Sequence, residues 1–287
     1  MPRFVCHICE KSYSRNHDLT RHVNIKHRPK TPFHVPGTPA DPPPPPPPPP
    51  SLADTDLATE SQIKSPLTEP ASSELASLDP RLKHPCSILL AGSSGSGKSL
   101  LASYLVERKD ELFVPPPEKV VWCYSKWQTL YDDLKEKGSV DYFVEGLEGY
   151  KVHIDGRPLL LVIDDLQREA SQTCAVAELF ERGSHHDNIT LIYITQNVFN
   201  QSKMSRDISL NTHYLFLFKN PRDMTQIRTL AAQCCPQNYK FVVEAYNKAC
   251  QIPFGYLMFD FRQDSPDILR YRTDLLSPTG CTLYTER

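Results

Sequence analysis

A three-layer α/β sandwich with a mainly parallel sheet is the fold that the sequence predicts for residues 81–287. Two observations predict it. Short apolar runs of strand length recur at Ser87–Ala91, Val120–Tyr124, Leu159–Ile163, Thr190–Thr195, Tyr214–Phe218 and Tyr256–Phe261, and they read as buried strands. Segments of helical length separate most of them: Lys98–Arg108, Ala170–Arg182, Arg222–Gln233 and Asn238–Cys250. Strands joined through helices of this length pair in parallel, with helices on both faces of the sheet. No internal repeat is visible.

The rest of the chain differs in composition. Overall, 39% hydrophobic and 23% charged residues over 287 positions suit one sizeable globular domain plus a small module. The net charge of −2 is unevenly spread. Residues 1–30 carry seven Lys or Arg against two acids, a net of +5, whereas residues 81–287 carry 24 against 25. Between them, residues 31–80 hold Lys64 against seven acids and fifteen of the 27 prolines, including an unbroken run from Pro42 to Pro50. That run forms polyproline II of roughly 28 Å, at about 3.1 Å per residue. The remainder of residues 31–80 is too polar to bury a core, so a disordered linker is expected. The proline run reads either as a spacer or as a ligand for a proline-recognition domain. The basic surplus sits in the N-terminal segment, where a polyanion would be met.

Residues 1–30 read as a single Cys2His2 zinc finger of ββα form. The pattern is Phe4-x-Cys6-x2-Cys9-x3-Tyr13-x5-Leu19-x2-His22-x4-His27. Two thiolates on a hairpin and two imidazoles on a helix make a closed tetrahedral Zn2+ site from Cys6, Cys9, His22 and His27. Phe4, Tyr13 and Leu19 supply a core too small to fold without the metal. Counted back from His22, the base-reading positions are Arg15, Asp18 and Arg21. One finger covers only about three base pairs. Its role is therefore either weak nucleic-acid contact or protein interaction. The other seven cysteines are scattered, which suits a reducing compartment rather than a disulfide framework. The start MPRFVCHICEK has no apolar signal core, and no apolar run approaches the length of a membrane span. An intracellular protein with no membrane partner is expected, nuclear rather than cytoplasmic.

The first strand of the large domain runs into Gly92-Ser93-Ser94-Gly95-Ser96-Gly97-Lys98-Ser99, followed by the helix LLASYLVER. G-x4-G-K-S between a buried strand and a helix is the phosphate-binding loop of a P-loop NTPase. Its glycines let backbone N–H groups close around phosphates, and the helix N-terminus adds positive potential. Lys98 is expected to reach the β- and γ-phosphates of ATP, and Ser99 to ligate Mg2+. The strand Leu159–Ile163 ends in Asp164 and Asp165. Asp164 is placed for the Mg2+ shell and Asp165 to polarise the attacking water. The strand Thr190–Thr195 ends at Gln196, which can orient water or sense the γ-phosphate, or act as a loop amide. Arg182, Arg206 and Arg222 each read as an arginine finger or as a surface ion-pair residue. An N-K-x-D guanine motif is absent; the closest string is Asn247-Lys248-Ala249-Cys250.

The order GSSGSGKS, LLLVIDDL, FERGSHHDNITLIYITQN and KNPRD resembles the viral genome-packaging ATPases, relatives of the FtsK/HerA-type chromosome-pumping motors. Forms of these occur in Maverick/Polinton virus-like transposons. The resemblance covers about residues 85–265. It implies an ATP-hydrolysing, DNA-dependent translocase that assembles as a homo-oligomeric ring on double-stranded DNA and feeds it into a capsid. An extra strand separates the P-loop strand from the Asp strand in that family, and Val120–Tyr124 is expected to fill that place. An arginine is supplied in trans there, and Arg182 best matches its position. Motors of the group often carry Glu as the second acid, where this chain has Asp165. The finger and the proline spacer lie outside the family pattern. The alternative is a non-motor zinc-finger protein binding DNA or protein, with a degenerate or domesticated P-loop domain.

Overall fold

The computed structural model describes Phe4–Val5, Ser12–Tyr13 and residues 78–287 apart from 173–174, 184–186, 199–202, 278–279 and 287. The chain divides into two compact units, residues 1–77 and 78–287. In the first, strands β1 (Phe4–Val5) and β2 (Ser12–Tyr13) pair antiparallel, with Phe4 opposite Tyr13. The expected zinc ligands Cys6, Cys9, His22 and His27 and the base-reading positions Arg15, Asp18 and Arg21 lie outside the described residues, as does the proline-rich segment.

The second unit is built on a large mixed sheet. Its strands in chain order are β4 (Ser87–Ala91), β6 (Lys119–Tyr124), β7 (Tyr142–Glu145), β8 (Leu159–Asp164), β9 (Ile189–Thr195), β10 (Tyr214–Phe218), β11 (Tyr256–Asp260), β12 (Tyr271–Thr273) and β13 (Thr282–Leu283). A separate parallel pair joins β3 (Leu82–Lys83) to β5 (Phe113–Val114). Across the sheet the order is β13-β12-β11-β10-β4-β9-β8-β6-β7. The run from β10 to β7 is parallel throughout, and β11, β12 and β13 add antiparallel.

Side chains alternate across each strand, so one apolar run feeds two cores. On one face Leu89, Leu161, Leu191 and Leu215 pack with Val176, Ile208, Ile227, Leu230, Val242 and Tyr246. Helices α4 (Gln167–Gln172), α5 (Ala175–Glu178), α6 (Lys203–Leu210), α7 (Met224–Cys234) and α8 (Tyr239–Ala249) run along this part of the chain. On the other face Ile88, Leu90, Leu160, Val162 and Ile192 meet Leu101 and Leu105 of α1 (Lys98–Glu107) and Tyr131 and Leu134 of α3 (Thr129–Glu136); the short α2 is Lys109–Leu112. Burying each such Leu or Ile contributes about 1.5–3 kcal/mol, which is why the strands carry no polar face.

Three expectations need correction. First, Tyr256–Phe261 does not extend the parallel sheet: β11 ends at Asp260 and runs antiparallel to β10. A single helix returns the chain to the end where its strand began, but α7 and α8 pack as a pair and return it to the end it left. Second, Val120–Tyr124 does not lie between the P-loop strand and the Asp strand. That place belongs to β9, while β6 lies beyond β8. Chain order leaves the order of parallel strands open, because a crossover can pass over a neighbouring strand as well as reach it. Third, Ala170–Arg182 is not α-helical to its end. It opens earlier, at Gln167, and Leu179–Gly183 forms a π-helical turn after Ala175–Glu178.

Candidate nucleotide-binding site

The carboxyl ends of the parallel strands converge on the loop between β4 and α1. Ser96 N–H turns back on the Ser93 carbonyl at 3.3 Å, and the first helical bond, Leu101 N–H to Gly97 carbonyl, is 2.9 Å. Gly97 has φ 100°, in the left-handed region, and a Cβ there would lie 2.8 Å from the Phe254 ring. Gly92 is a glycine for a different reason, since a Cβ would stand 2.6 Å from that of Phe218. The loop is pinned to both neighbouring strands. Gly92 N–H donates to the Thr195 carbonyl at 3.4 Å, and Ser93 Oγ–H to the Lys219 carbonyl at 3.2 Å. Ser96 Oγ is buried inside the loop with no hydrogen-bond partner among the described residues. A buried hydroxyl without a partner is costly, and a bound phosphate oxygen would give it one.

Lys98 is buried, and its Nζ donates to the Gly92 and Ser93 carbonyls at 2.7 and 2.8 Å. Burial pushes its amine below the ordinary lysine range, and the charges of Asp164 and Asp165 oppose that shift. Asp164, 2% exposed, closes the other side. Ser99 Oγ–H donates to its Oδ1 at 3.2 Å and Tyr131 Oη–H to its Oδ2 at 3.0 Å. Burial pushes the Asp164 carboxyl up; the two hydroxyls and Lys98 pull the other way, and Asp165 adds to the rise. A hydroxyl and a carboxylate set side by side are oxygen donors of the kind a hard divalent cation takes. Among the described residues no group of three His, Cys, Asp or Glu side chains is placed to hold a metal. Mg2+ needs no such group, because it keeps several waters and substrate phosphate oxygens as ligands.

The remaining expected residues are placed as follows. Asp165 is exposed just past β8 with φ 58°, a left-handed conformation that a short polar side chain tolerates. Gln196 is exposed at the tip of β9, beside the P-loop strand, and lines a small cavity with Gly92, Asn220, Asp223, Gln226 and Tyr246. The cavity measures about 10 Å³, close to the size of one water. Arg182 belongs to the π-helical turn Leu179–Gly183, with its side chain outside the described residues. Arg222 follows β10 and its backbone N–H donates to Asn220 Oδ1 at 3.3 Å.

Sequence reading misses two parts of the site. Tyr131 lies on α3, a helix hidden by its charged residues. Its ring packs with Trp122, Tyr124, Trp127 and Phe143 at centroid distances of 5.5, 5.6, 5.6 and 5.9 Å. The i, i+3 spacing of Tyr131 and Leu134 along one face is the signal that finds it. Thr195 is the second. Its Oγ1 accepts from Gln167 Nε2 at 3.3 Å and donates to the Asn197 carbonyl at 3.1 Å, which fixes the turn carrying Gln196.

No protein-family profile matches the chain, and no curated protein sequence matches it significantly. Several solved structures are similar in part. The flagellar accessory protein FlaH from Methanocaldococcus jannaschii is 12% identical over 46% of this chain and 70% of that one, with a TM-score of 0.34. A KaiC-like protein from Pyrococcus horikoshii is 12% identical over 70% of this chain and 91% of its own, with a TM-score of 0.38. The cytoplasmic domain of the Type VII secretion ATPase EccC from Thermomonospora curvata is 12% identical over 70% of this chain, with a TM-score of 0.42. The match spans only 24% of that EccC chain. Likenesses this distant carry no inference about activity. The loop between β4 and α1, Lys98 within it and Asp164 at the tip of β8 together form a P-loop nucleotide site on a mostly parallel sheet.

Proposed function

We propose that residues 81–287 bind Mg·ATP and hydrolyse it, and that the chain uses hydrolysis to move double-stranded DNA. The observation that supports the first part best is the Ser99–Asp164 hydrogen bond, made across 65 residues of sequence directly below the phosphate loop. Lys98 moves from the Gly92 and Ser93 carbonyls onto the β- and γ-phosphates. The loop N–H groups and Ser96 Oγ hold phosphate oxygens. Ser99 and Asp164 would hold the Mg2+ carried in with the nucleotide, which would supply charge neutralisation on the transferring phosphoryl group. Asp165, exposed and adjacent, accepts a proton from the attacking water, whose oxygen bonds the γ-phosphorus as the bond to ADP breaks. Gln196 orients that water. The direct test is Mg2+-dependent release of phosphate from ATP by the full chain, lost in Lys98→Ala.

The motor reading rests on the order of motifs that resembles the packaging ATPases, with the basic finger as a DNA contact. The γ-phosphate end of such a site lies at the exposed strand ends, where a neighbouring subunit can reach it. Arg182 is our choice for the residue a neighbour donates, in a homo-oligomeric ring whose further partner is a capsid. An arginine donated across an interface accelerates phosphoryl transfer by about 10³–10⁵. Activity per subunit then rises steeply with protein concentration, double-stranded DNA stimulates it, and Arg182→Ala subunits poison wild-type rings in a mixing titration. A linear fall of activity with mutant fraction, without stimulation by DNA, favours the non-motor alternative. Zn2+ bound by Cys6, Cys9, His22 and His27 is tested separately: Cys9→Ala should lose one equivalent of zinc and leave ATP hydrolysis unchanged.

A further inference from the structure

The turn between α8 and β11 carries an unusual backbone conformation. Phe254 has φ 61°, a genuine outlier for a bulky aromatic residue. Its ring is not hidden to compensate, since the side chain is 43% exposed, and Ile252 beside it is 37% exposed. The turn is rigidly set. Gly255 N–H donates to the Ile252 carbonyl at 3.0 Å, and a Cβ on Gly255 would run into the Ala249 carbonyl. The ring lies against the phosphate loop itself, at the position where any side chain on Gly97 would have to go. Strain of this kind persists where the surroundings over-determine it, and it clusters at ligand clamps.

The position decides what the clamp would hold. The P-loop strand β4 lies between β9 and β10. On the β9 side are β8 and Asp164, the end of the site where the terminal phosphate is taken. On the β10 side is β11, and the turn leading into it brings Phe254 to Gly97. A triphosphate lying along the loop toward Asp164 must leave its nucleoside on the opposite flank. There the exposed ring of Phe254 adjoins the loop at Gly97.

We propose that Phe254 is the base-stacking residue of the nucleotide site, its ring taking the face of the purine whose phosphates the Gly92–Ser99 loop holds. This rests on the nucleotide reading given above. Stacking uses the π-face that every base presents, so adenine and guanine nucleotides both gain from it. The left-handed backbone presents the ring to the site, and Gly97 leaves it room.

The test measures binding of ATP, GTP and inorganic tripolyphosphate, each with Mg2+, to the full chain and to Phe254→Ala, Phe254→Tyr and Phe254→Gly. Phe254→Ala should weaken both nucleotides about tenfold or more and leave tripolyphosphate within twofold, while Phe254→Tyr restores nucleotide affinity. Phe254→Gly separates this role from a structural one, because glycine relieves the left-handed strain. It should lose nucleotide affinity yet resist urea at least as well as the wild type. Equal weakening of nucleotides and tripolyphosphate, or unchanged ATP affinity in Phe254→Ala, overturns the assignment while leaving the P-loop reading intact. Failure of the wild type to bind tripolyphosphate or ATP, with Lys98→Ala indistinguishable from it, overturns both.

Discussion

Two aspartates, Asp164 and Asp260, are each 2% exposed and each end an interior strand, but they sit at opposite ends of the parallel strands and are held differently. Asp260 ends the antiparallel β11, away from the phosphate loop. Its Oδ2 accepts from the buried Arg272 Nη2 at 3.2 Å and from Ser265 Oγ at 2.8 Å. Asp164 ends the parallel β8, at the phosphate loop, and the hydrogen bonds it receives come from two neutral hydroxyls. The cation nearest in the sequence logic, Lys98, spends its Nζ on loop carbonyls. Near Asp260, Ser87 Oγ donates to the Asn211 carbonyl at 2.6 Å and Asp264 accepts from Lys83 and Arg262 at 2.7 and 3.0 Å, while Arg272 Nη1 is buried with no hydrogen-bond partner among the described residues. A buried charge completed by its own chain belongs to the fold. A buried charge left with neutral partners is available to a ligand that brings the missing charge.

Substitution separates the two aspartates by sign. Asp260→Asn breaks a buried pair and leaves Arg272 charged, so urea unfolding should show a loss of about 3–5 kcal/mol. Asp164→Asn removes a charge that burial disfavours, so the ligand-free protein should be at least as stable as the wild type. A loss comparable to that of Asp260→Asn would make Asp164 a structural residue. The pH dependence follows from the raised Asp164 carboxyl. Its folded form holds the proton more tightly than the unfolded chain. The stability difference between wild type and Asp164→Asn is therefore absent below about pH 4, the unfolded value. As pH rises through the folded value, the wild type loses ground to the variant. The same titration should weaken Mg2+ affinity at acid pH, because a ligating carboxylate must be ionised.

Asp165 sharpens the contrast within one dipeptide. Exposed where Asp164 is buried, it should serve the water rather than the cation. Asp165→Asn should therefore lower kcat by about 10²–10⁴ with Mg·ATP affinity retained. Equal loss of ATP affinity would return Asp165 to the metal shell. Tyr131→Phe has the smallest effect. It deletes a hydrogen bond to a charged group, worth about 1.5–3 kcal/mol, from a residue that positions Asp164 without touching substrate. The Mg2+ concentration for half-maximal activity should rise about tenfold or more, with kcat at saturating Mg2+ within a few-fold of wild type. A fall in kcat alone would show that the hydroxyl acts elsewhere.

Much of this comparison is legible in the sequence, and its limits have physical causes. The strand ending in Asp164 and the loop Gly92–Ser99 are local: apolar runs, glycines and a helix start adjacent to one another carry them. Gln196 is found the same way, at the end of a seven-residue buried strand. Tyr131 is not, because its contact with Asp164 spans 33 residues and its helix is read as polar. The position of β9 between β4 and β8 escapes for a related reason, since crossover connections do not encode which neighbour a parallel strand takes. The antiparallel β11, and with it the placing of Phe254 at the phosphate loop, depends on two helices packing as one return. Asp260 looks no different from any strand-end acid until Arg272 is brought to it from 12 residues downstream.

We propose that the buried charge at Asp164 and the loop around Lys98 form one site completed by Mg·ATP. Thermal unfolding of the full chain with Mg2+ and a non-hydrolysable ATP analogue tests it most directly. At a hundredfold excess over Kd, binding to the folded state stabilises it by about 2.7 kcal/mol. The shift should require Mg2+ and nucleotide together, and it should vanish in both Lys98→Ala and Asp164→Asn. A shift of the same size without Mg2+, or one retained in Lys98→Ala, would contradict the account.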